Sequence, residues 1–267
     1  MLNTIAALLP LTVAFSNTPI DAAEMVKQIK PATAHLQILD QAGNELGTGT
    51  GFFVFDNGWI ATNHHVIDGA VAVRAILADG RQLEVQGVLA TSVEDDLALI
   101  KVDGAGFPRI ALGASADLVQ GDKVFVVGGP LGLAGSLSEG IVSAFRDEGV
   151  EEGYEGAMTG PRLQITAAIA PGSSGSPVVS SRGEVIGVAV SGFTNTQSLN
   201  FAVPVDRLKA LIKTVDPAAT PKPFSNALFG NLSISAVVLL ALALLLWFNR
   251  RGTRSPPRKR AKRARGR

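Results

Sequence analysis

From Pro31 to Pro204 the chain reads as short apolar runs cut by turns. "ATAHLQIL", "TGFFVF", "GWIAT", "AVAVRAIL", "RQLEVQGVLA" and "DLALIKV" are alternating or β-branched, and "DQAGN", "DNG" and "ADG" separate most of them. After "GASADLVQGD" a second series begins: "KVFVVG", "SLSEGIVSAF", "RLQITAA", "SPVVS", "EVIGVAV" and "LNFAVP". The pattern predicts six strands followed by six more, with one helix over roughly Asp206 to Val215. Many short strands with little helix argue for an all-β sandwich or barrel, and two six-stranded barrels would account for the whole span. Strand counting by itself leaves one large sandwich open.

The two ends break this pattern. "MLNTIAALLPLTVAFSN" carries an apolar run too short to span a bilayer, and it fits a signal peptide over residues 1–16, with Ala14 and Ser16 as the small residues before the cut. Asp21 and Glu24 form a D-x-x-E capping pattern for a short helix ending at Pro31. Cleavage at Ala23 would remove that cap, so the mature chain is expected to start near Asn17. At the other end, residues 229–248 hold no charge and finish in "AVVLLALALLLWF". At about 1.5 Å per residue such a helix crosses the ~30 Å hydrocarbon core. The expected organisation is a body over 17–215 (barrel 1 about 31–113, barrel 2 about 121–205), a Pro-rich linker over 216–228, a membrane helix over 229–248 and a tail over 249–267.

Charge sharpens this division. The net charge of +1 conceals ten Lys/Arg and no acid in residues 250–267, against 14 basic and 23 acidic residues in the preceding 249, a net of −9 there. Trp247 followed by Arg250 and Arg251 orients the tail to the cytoplasm by the positive-inside rule, with the body on the far side of an inner, single-pass membrane. A basic tail can neutralise phosphates of anionic lipid or of nucleic acid. It has no aromatic residues for base stacking, which argues against single-strand recognition and favours topology fixation near the inner leaflet. The absence of cysteine excludes disulfides and thiol chemistry, and three histidines (His35, His64, His65) argue against a structural zinc site.

Three segments bear on catalysis. A serine hydroxyl is a poor nucleophile at neutral pH and needs a base, a group that orients the base, and donors for the developing oxyanion. "ATNHHVI" supplies histidine after a strand, "EDDLALIKV" supplies acid before one, and "APGSSGSP" supplies serine in a glycine-rich turn. Taken singly, each is also an ordinary strand end or turn.

Taken together, "TGTGFFVFDNGWIATNHHVI", "DDLALIKV", "GIVSA", "ITAAIAPGSSGSPVV", "GEVIGVAV" and "NFAVPVD" resemble the trypsin-like serine proteases of the HtrA/Deg type, in the order His, Asp, Ser and at spacings of 31 and 78 residues. The resemblance runs from about Ala22 to Ile212. It implies two perpendicular six-stranded β-barrels with the active site between them, a polypeptide substrate, no metal or organic cofactor, and room for a homo-oligomer. Residue by residue it selects His65 as general base and leaves His64 a bystander, since neighbouring side chains at a strand end point different ways. Asp96 is the acid that orients the imidazole, with Asp95 and Glu94 as solvated loop acids, and Ser174 is the nucleophile. The N–H groups of Gly172 and Ser174 form the oxyanion hole. The residues matching the substrate pocket are Ala168, Ile169 and Ala170, and Ala189, Val190 and Ser191. None is acidic, so small or medium aliphatic residues are expected before the scissile bond.

The sequence also departs from the family pattern. The usual G-N-S-G-G-P reads "GSSGSP", so Ser173 stands for asparagine and Ser176 for a packed glycine whose replacement could shift the loop. Ala170 stands where asparagine is common. "VPVDRLKALIKTVDP" runs straight toward the apolar segment, leaving no expected place for the PDZ domain most members carry. "RDEGVEEGYEGAMTG" puts five acids between Asp147 and Glu155, at the position of a mobile activation loop in the family or as a solvated surface loop. The reading that follows is a membrane-anchored serine endopeptidase acting on unfolded or exposed polypeptide outside the cytoplasm. The alternative is a catalytically silent protease-like domain that binds peptides or a partner.

Overall fold

Among the described residues of the computed structural model of the chain, twelve strands form, and each coincides with one of the runs read above. The structure describes residues 20–129, 135–147, 160–190 and 199–224. Two units divide the chain at Ala227/Leu228, and every described residue belongs to the first. The signal segment, most of the acidic stretch after Asp147, Ser191, the apolar segment 229–248 and the basic tail lie outside the described residues. Among the described residues no helix is long and apolar enough to cross a membrane.

The first six strands are β1 (Thr33–Leu39), β2 (Glu45–Phe53), β3 (Trp59–Thr62), β4 (Ala72–Leu77), β5 (Gln82–Ser92) and β6 (Leu97–Val102). They close in the order β1-β2-β3-β6-β5-β4. The second six are β7 (Lys123–Gly128), β8 (Ser136–Arg146), β9 (Arg162–Ile165), β10 (Pro177–Ser180), β11 (Val185–Val190) and β12 (Asn200–Pro204), closing as β10-β11-β12-β9-β8-β7. All pairings are antiparallel. The architecture is two closed barrels, which excludes the single sandwich.

Successive side chains on a strand face opposite sides, and here both sides are apolar. Phe53 of β2 and Ala98 and Ile100 of β6 fill the interior of barrel 1, while Phe52, Leu97 and Leu99 turn outward into a cluster shared with barrel 2. β7 repeats the device, with Val124 and Val126 inward and Phe125 and Val127 in the shared cluster. The seam is therefore a hydrophobic core in its own right. That explains why these strands read as continuous apolar runs rather than as alternating ones.

Helices and linkers close the seam. In α1 (Ala22–Ile29) the Asp21 carboxylate accepts the N–H of Glu24 at 2.8 Å, as the capping pattern predicts. The reciprocal half of a capping box is not made, because Glu24 accepts from Gln28 Nε2 instead. Pro31 ends the helix in a 3-10 turn, and Met25 and Ile29, four apart on one face, are buried in the shared cluster. The last helix among the described residues, α3, spans Val205–Lys213, one residue earlier at its start and two at its end than the expected Asp206 to Val215. Its Asp206 accepts from both the N–H and the hydroxyl of Ser115 on the interbarrel linker. Burial works against ionisation of this carboxyl, but the Ser115 bonds and Lys209 outweigh it and hold its pKa below the usual carboxylate value.

Beyond α3 the Pro-rich segment turns back onto barrel 1. Lys222 exchanges backbone hydrogen bonds with Val88 of β5 (2.7 and 2.8 Å), and Phe224 is buried in the interior cluster of barrel 1. The described part of the expected linker thus straps the end of barrel 2 to barrel 1.

Candidate active site

The histidine segment follows β3 directly. Asn63, in extended conformation, opens the single-turn helix α2 (His64–Ile67), so that His65 leaves the strand end toward the seam. Its imidazole Nδ1 lies 2.7 Å from Asp96 Oδ2, and its backbone N–H donates to Asp96 Oδ1 at 2.9 Å. One carboxylate thus holds both the ring and the main chain of His65. A carboxylate accepts only, so the ring proton sits on Nδ1 and the Nε2 lone pair is left for other work. No hydrogen bond from the His64 ring is present among the described residues, and that ring lies outside the cleft described below.

Asp96 is held in an unusual backbone state. Its φ of +58° makes it the one non-glycine residue with positive φ among the described residues. Aspartate tolerates this left-handed region better than most residues, but only where the surroundings enforce it. Here Asn63 Nδ2 donates to the Asp96 carbonyl at 2.9 Å and fixes the turn. The neighbouring acid has a different part from the one expected. Asp95 is not a solvated loop acid: its side chain is only 16% exposed, it accepts the Ser92 hydroxyl at 2.9 Å, and Arg207 of α3 lies 3.5 Å away. The positive φ at Asp96 sends two adjacent carboxylates to different partners, which the residue types alone could not reveal.

Ser174 lies in the turn between β9 and β10. Ser173 N–H donates to the Ala170 carbonyl at 2.9 Å, and Gly172, third of these four residues, has φ +90°. Proline at the second position forces negative φ there, so Ala170-Pro171-Gly172-Ser173 is a type II turn. That turn type needs a residue without a Cβ at its third position. It also turns the Pro171–Gly172 peptide so that the Gly172 N–H has no acceptor within the described residues. Ser173 and Ser174 are both 4% exposed.

A cleft of about 360 Å³ joins these pieces. It is walled by Ile38, Leu46 and Thr48 of the β1–β2 hairpin, by His65 of α2, and by Gly172 and Ser174. The structure thus brings His65, Asp96, Gly172 and Ser174 together. Of the expected substrate-pocket residues, the five described ones, Ala168, Ile169, Ala170, Ala189 and Val190, do not line this cleft. Ala168, Ile169 and Ala170 line a separate cavity of about 180 Å³ with Ser173. Ala189 is buried in the interior of barrel 2 and Val190 in the shared cluster, with Ala189 bonded to Gly175 and Ser176 through its backbone.

Ser176 does not disrupt the loop. It is fully buried, and the space for its side chain comes from Gly128 at the end of β7, where an added Cβ would stand 2.1 Å from Ser176 Oγ. The hydroxyl itself has no hydrogen-bond partner among the described residues.

Residues 49–188, just over half of the chain, match the trypsin-like peptidase domain. The chain belongs to the trypsin-like peptidase family. Within that family the chain is similar to serine proteases of the HtrA type. The putative serine protease HhoA of Synechocystis sp. is 36% identical over 191 residues, covering 70% of this chain and 48% of HhoA. A probable periplasmic DegP-like serine endoprotease of Halomonas elongata is 37% identical over 161 residues, 59% of this chain and 33% of the relative. This trypsin-like peptidase therefore spans a third to a half of the length of these relatives. Among solved structures, the HtrA-type protease AlgW with a tripeptide superposes with TM-score 0.64 at 27% identity, covering 73% of this chain and 63% of AlgW. The serine endoprotease from Yersinia pestis gives 0.61 at 25% identity, covering 74% and 67%.

Two residues bonded to the site residues stand outside the sequence reading: Asn63, which holds the Asp96 carbonyl, and Thr50, whose N–H donates to the Ser174 carbonyl and whose hydroxyl donates to that of Gly172. Asn63 sits inside the "TNHHV" motif, whereas nothing in the sequence separates Thr50 from Thr48, two positions away on the same strand.

Proposed function

We propose that this chain is a membrane-anchored serine endopeptidase that cleaves unfolded or exposed polypeptide outside the cytoplasm through an acyl-enzyme. The observation that carries this reading is the double hold of Asp96 on His65, beside a cleft that the imidazole shares with Ser174 and the unbonded amide of Gly172. Ser174 Oγ attacks the scissile carbonyl carbon while His65 Nε2 takes its proton, and the carbonyl oxygen becomes an oxyanion held by the Gly172 and Ser174 N–H groups. Collapse breaks the C–N bond, and His65 gives its proton to the departing amine. Water then adds to the acyl ester with His65 as base, and Ser174 is regenerated as the acid product leaves.

The direction of the substrate follows from this chemistry. The residue that protonates the leaving amine must stand on the leaving side, so the cleft beside His65 receives the C-terminal part of the substrate. Its wall of Ile38 and Leu46, the latter 63% exposed, favours an apolar residue there. The periplasmic relative and the charge-free segment at 229–248 support an extracytoplasmic, tethered domain.

A fluorescent fluorophosphonate applied to the full chain tests the reading. Wild type and Ser173→Ala are expected to label, and Ser174→Ala and His65→Ala are not. A folded wild type that fails to label favours the silent peptide-binding domain.

A further inference from the structure

Only one residue of barrel 1 is bonded to the serine loop through both its backbone and its side chain among the described residues. Thr50, near the end of β2, is 1% exposed and lies in the seam. Its N–H donates to the carbonyl of Ser174 at 2.8 Å, and its hydroxyl donates to the carbonyl of Gly172 at 2.8 Å. The same hydroxyl accepts the N–H of Gly129, beyond β7, at 3.2 Å. Its own carbonyl accepts the Thr62 hydroxyl at 2.8 Å, at the last residue of β3 before the His65 segment. Gly175 fits against this point because it has no side chain: with φ +85°, a Cβ there would stand 2.0 Å from the Thr50 carbonyl oxygen.

These bonds fall on particular peptide groups. The amides that would hold the oxyanion are those of Gly172 and Ser174. In each of these two residues the N–H and the C=O flank the same Cα, and Thr50 holds both carbonyls. With the carbonyl fixed on one side of the Cα, the amide on the other side can reorient only by opposed rotation about the preceding ψ and its own φ, without help from the peptide that follows. The type II turn closes the loop from the other side through Ser173 N–H and the Ala170 carbonyl.

We propose that Thr50 is a positioning residue that sets the oxyanion-binding form of the serine loop from the opposite barrel and ties it through Thr62 to the strand that carries His65. The bond between Thr50 Oγ1 and the Gly172 carbonyl joins residues 122 positions apart. The registration of the two barrels is thereby transmitted to the two amides. This inference rests on the peptidase reading for its catalytic consequence, though not for its structural one.

The test uses the full chain and the variants Thr50→Val, which keeps shape and backbone bonds and removes the hydroxyl, and Thr50→Ser, which restores it. Thr50→Val is expected to lower kcat on a peptide substrate by about ten- to a hundredfold with KM changed less than about threefold, because the loss falls on transition-state donors. Thr50→Ser is expected to recover kcat to within about threefold of wild type. Independently of activity, hydrogen exchange of the Ser173–Ser176 amides is expected to speed up about three- to tenfold in Thr50→Val, the equivalent of one lost hydrogen bond, while the interiors of both barrels keep their protection. Unchanged loop exchange in Thr50→Val, or a Thr50→Ser no faster than Thr50→Val, overturns the proposal. If Thr50→Val does not fold, Thr50→Ala is held to the same criteria. A wild-type chain that neither labels nor hydrolyses overturns the peptidase reading, and the exchange measurement then decides the role of Thr50 by itself.

Discussion

Replacing Gly128 by alanine puts a methyl group where Ser176 already is. The added Cβ would stand 2.1 Å from Ser176 Oγ and 3.1 Å from Ser176 Cβ, with Thr50 Oγ1 next at 3.5 Å. The first distance can be relieved by turning the Ser176 side chain; the second cannot, and Ser176 is fully buried with no space to retreat into. Overpacking of this kind costs about 1–3 kcal/mol, toward the lower end if the hydroxyl finds another rotamer. Ser176→Gly removes both close atoms, so in that background the nearest atom to the new methyl is Thr50 Oγ1 at an ordinary contact distance. Ser176→Gly alone should be nearly neutral. It removes a buried hydroxyl that has no partner among the described residues, but adds about 0.5–1 kcal/mol of glycine chain entropy and leaves a small void. The assay is a double-mutant cycle by urea unfolding, followed by tryptophan emission since Trp59 is buried. The double variant is expected to recover at least ~1 kcal/mol relative to additivity. If Gly128→Ala destabilises equally with serine or glycine at position 176, the packing account of this family departure is wrong.

Two further outcomes follow from other contacts. Phe224→Ala should destabilise the fold by about 3 kcal/mol, because the ring is buried in barrel 1, whereas Lys222→Ala, which keeps the backbone pairing with Val88, should cost little; a loss below about 1 kcal/mol for Phe224→Ala in chemical unfolding would refute the strap. Burial holds the His35 pKa below the usual histidine value of about 6.5, with Glu45 opposing. The unfolded chain therefore takes up a proton before the folded one does, so this contribution is fully present above about pH 6.5 and is lost as the pH falls through the lowered folded value. Melting temperature measured between about pH 7.5 and 5 should show a shallower acid slope in His35→Gln, and equal slopes would refute the argument.

The local elements were legible because a strand buried on both faces, as in "KVFVVG" and "DLALIKV", leaves a short unbroken apolar run bounded by turn residues. The Asp21 cap was legible for the same kind of reason, being a contact three residues long. Choosing among adjacent acids was harder. Asp95 and Asp96 differ in no property that composition or spacing records, and the positive φ at Asp96 that separates them is imposed by Asn63, 33 residues earlier. Ser176 looked like a perturbation of the loop because its complement, Gly128, lies 48 residues away on another strand.

The sequence by itself determined the order of the strands, the closing of one helix by Pro31, and the residue types needed for serine chemistry in the order His, Asp, Ser. These are encoded by near neighbours and by the periodicity of burial. Only the tertiary structure decided which face of each strand lies in a barrel and which in the seam. It alone set Thr50 against the carbonyls of Gly172 and Ser174, and brought Lys222 back onto β5. Those contacts span both barrels, and a hydrogen bond between residues 122 apart leaves no periodic trace along the chain. It depends on how two separately closed sheets are set against one another, and that is fixed by the packing of the shared core.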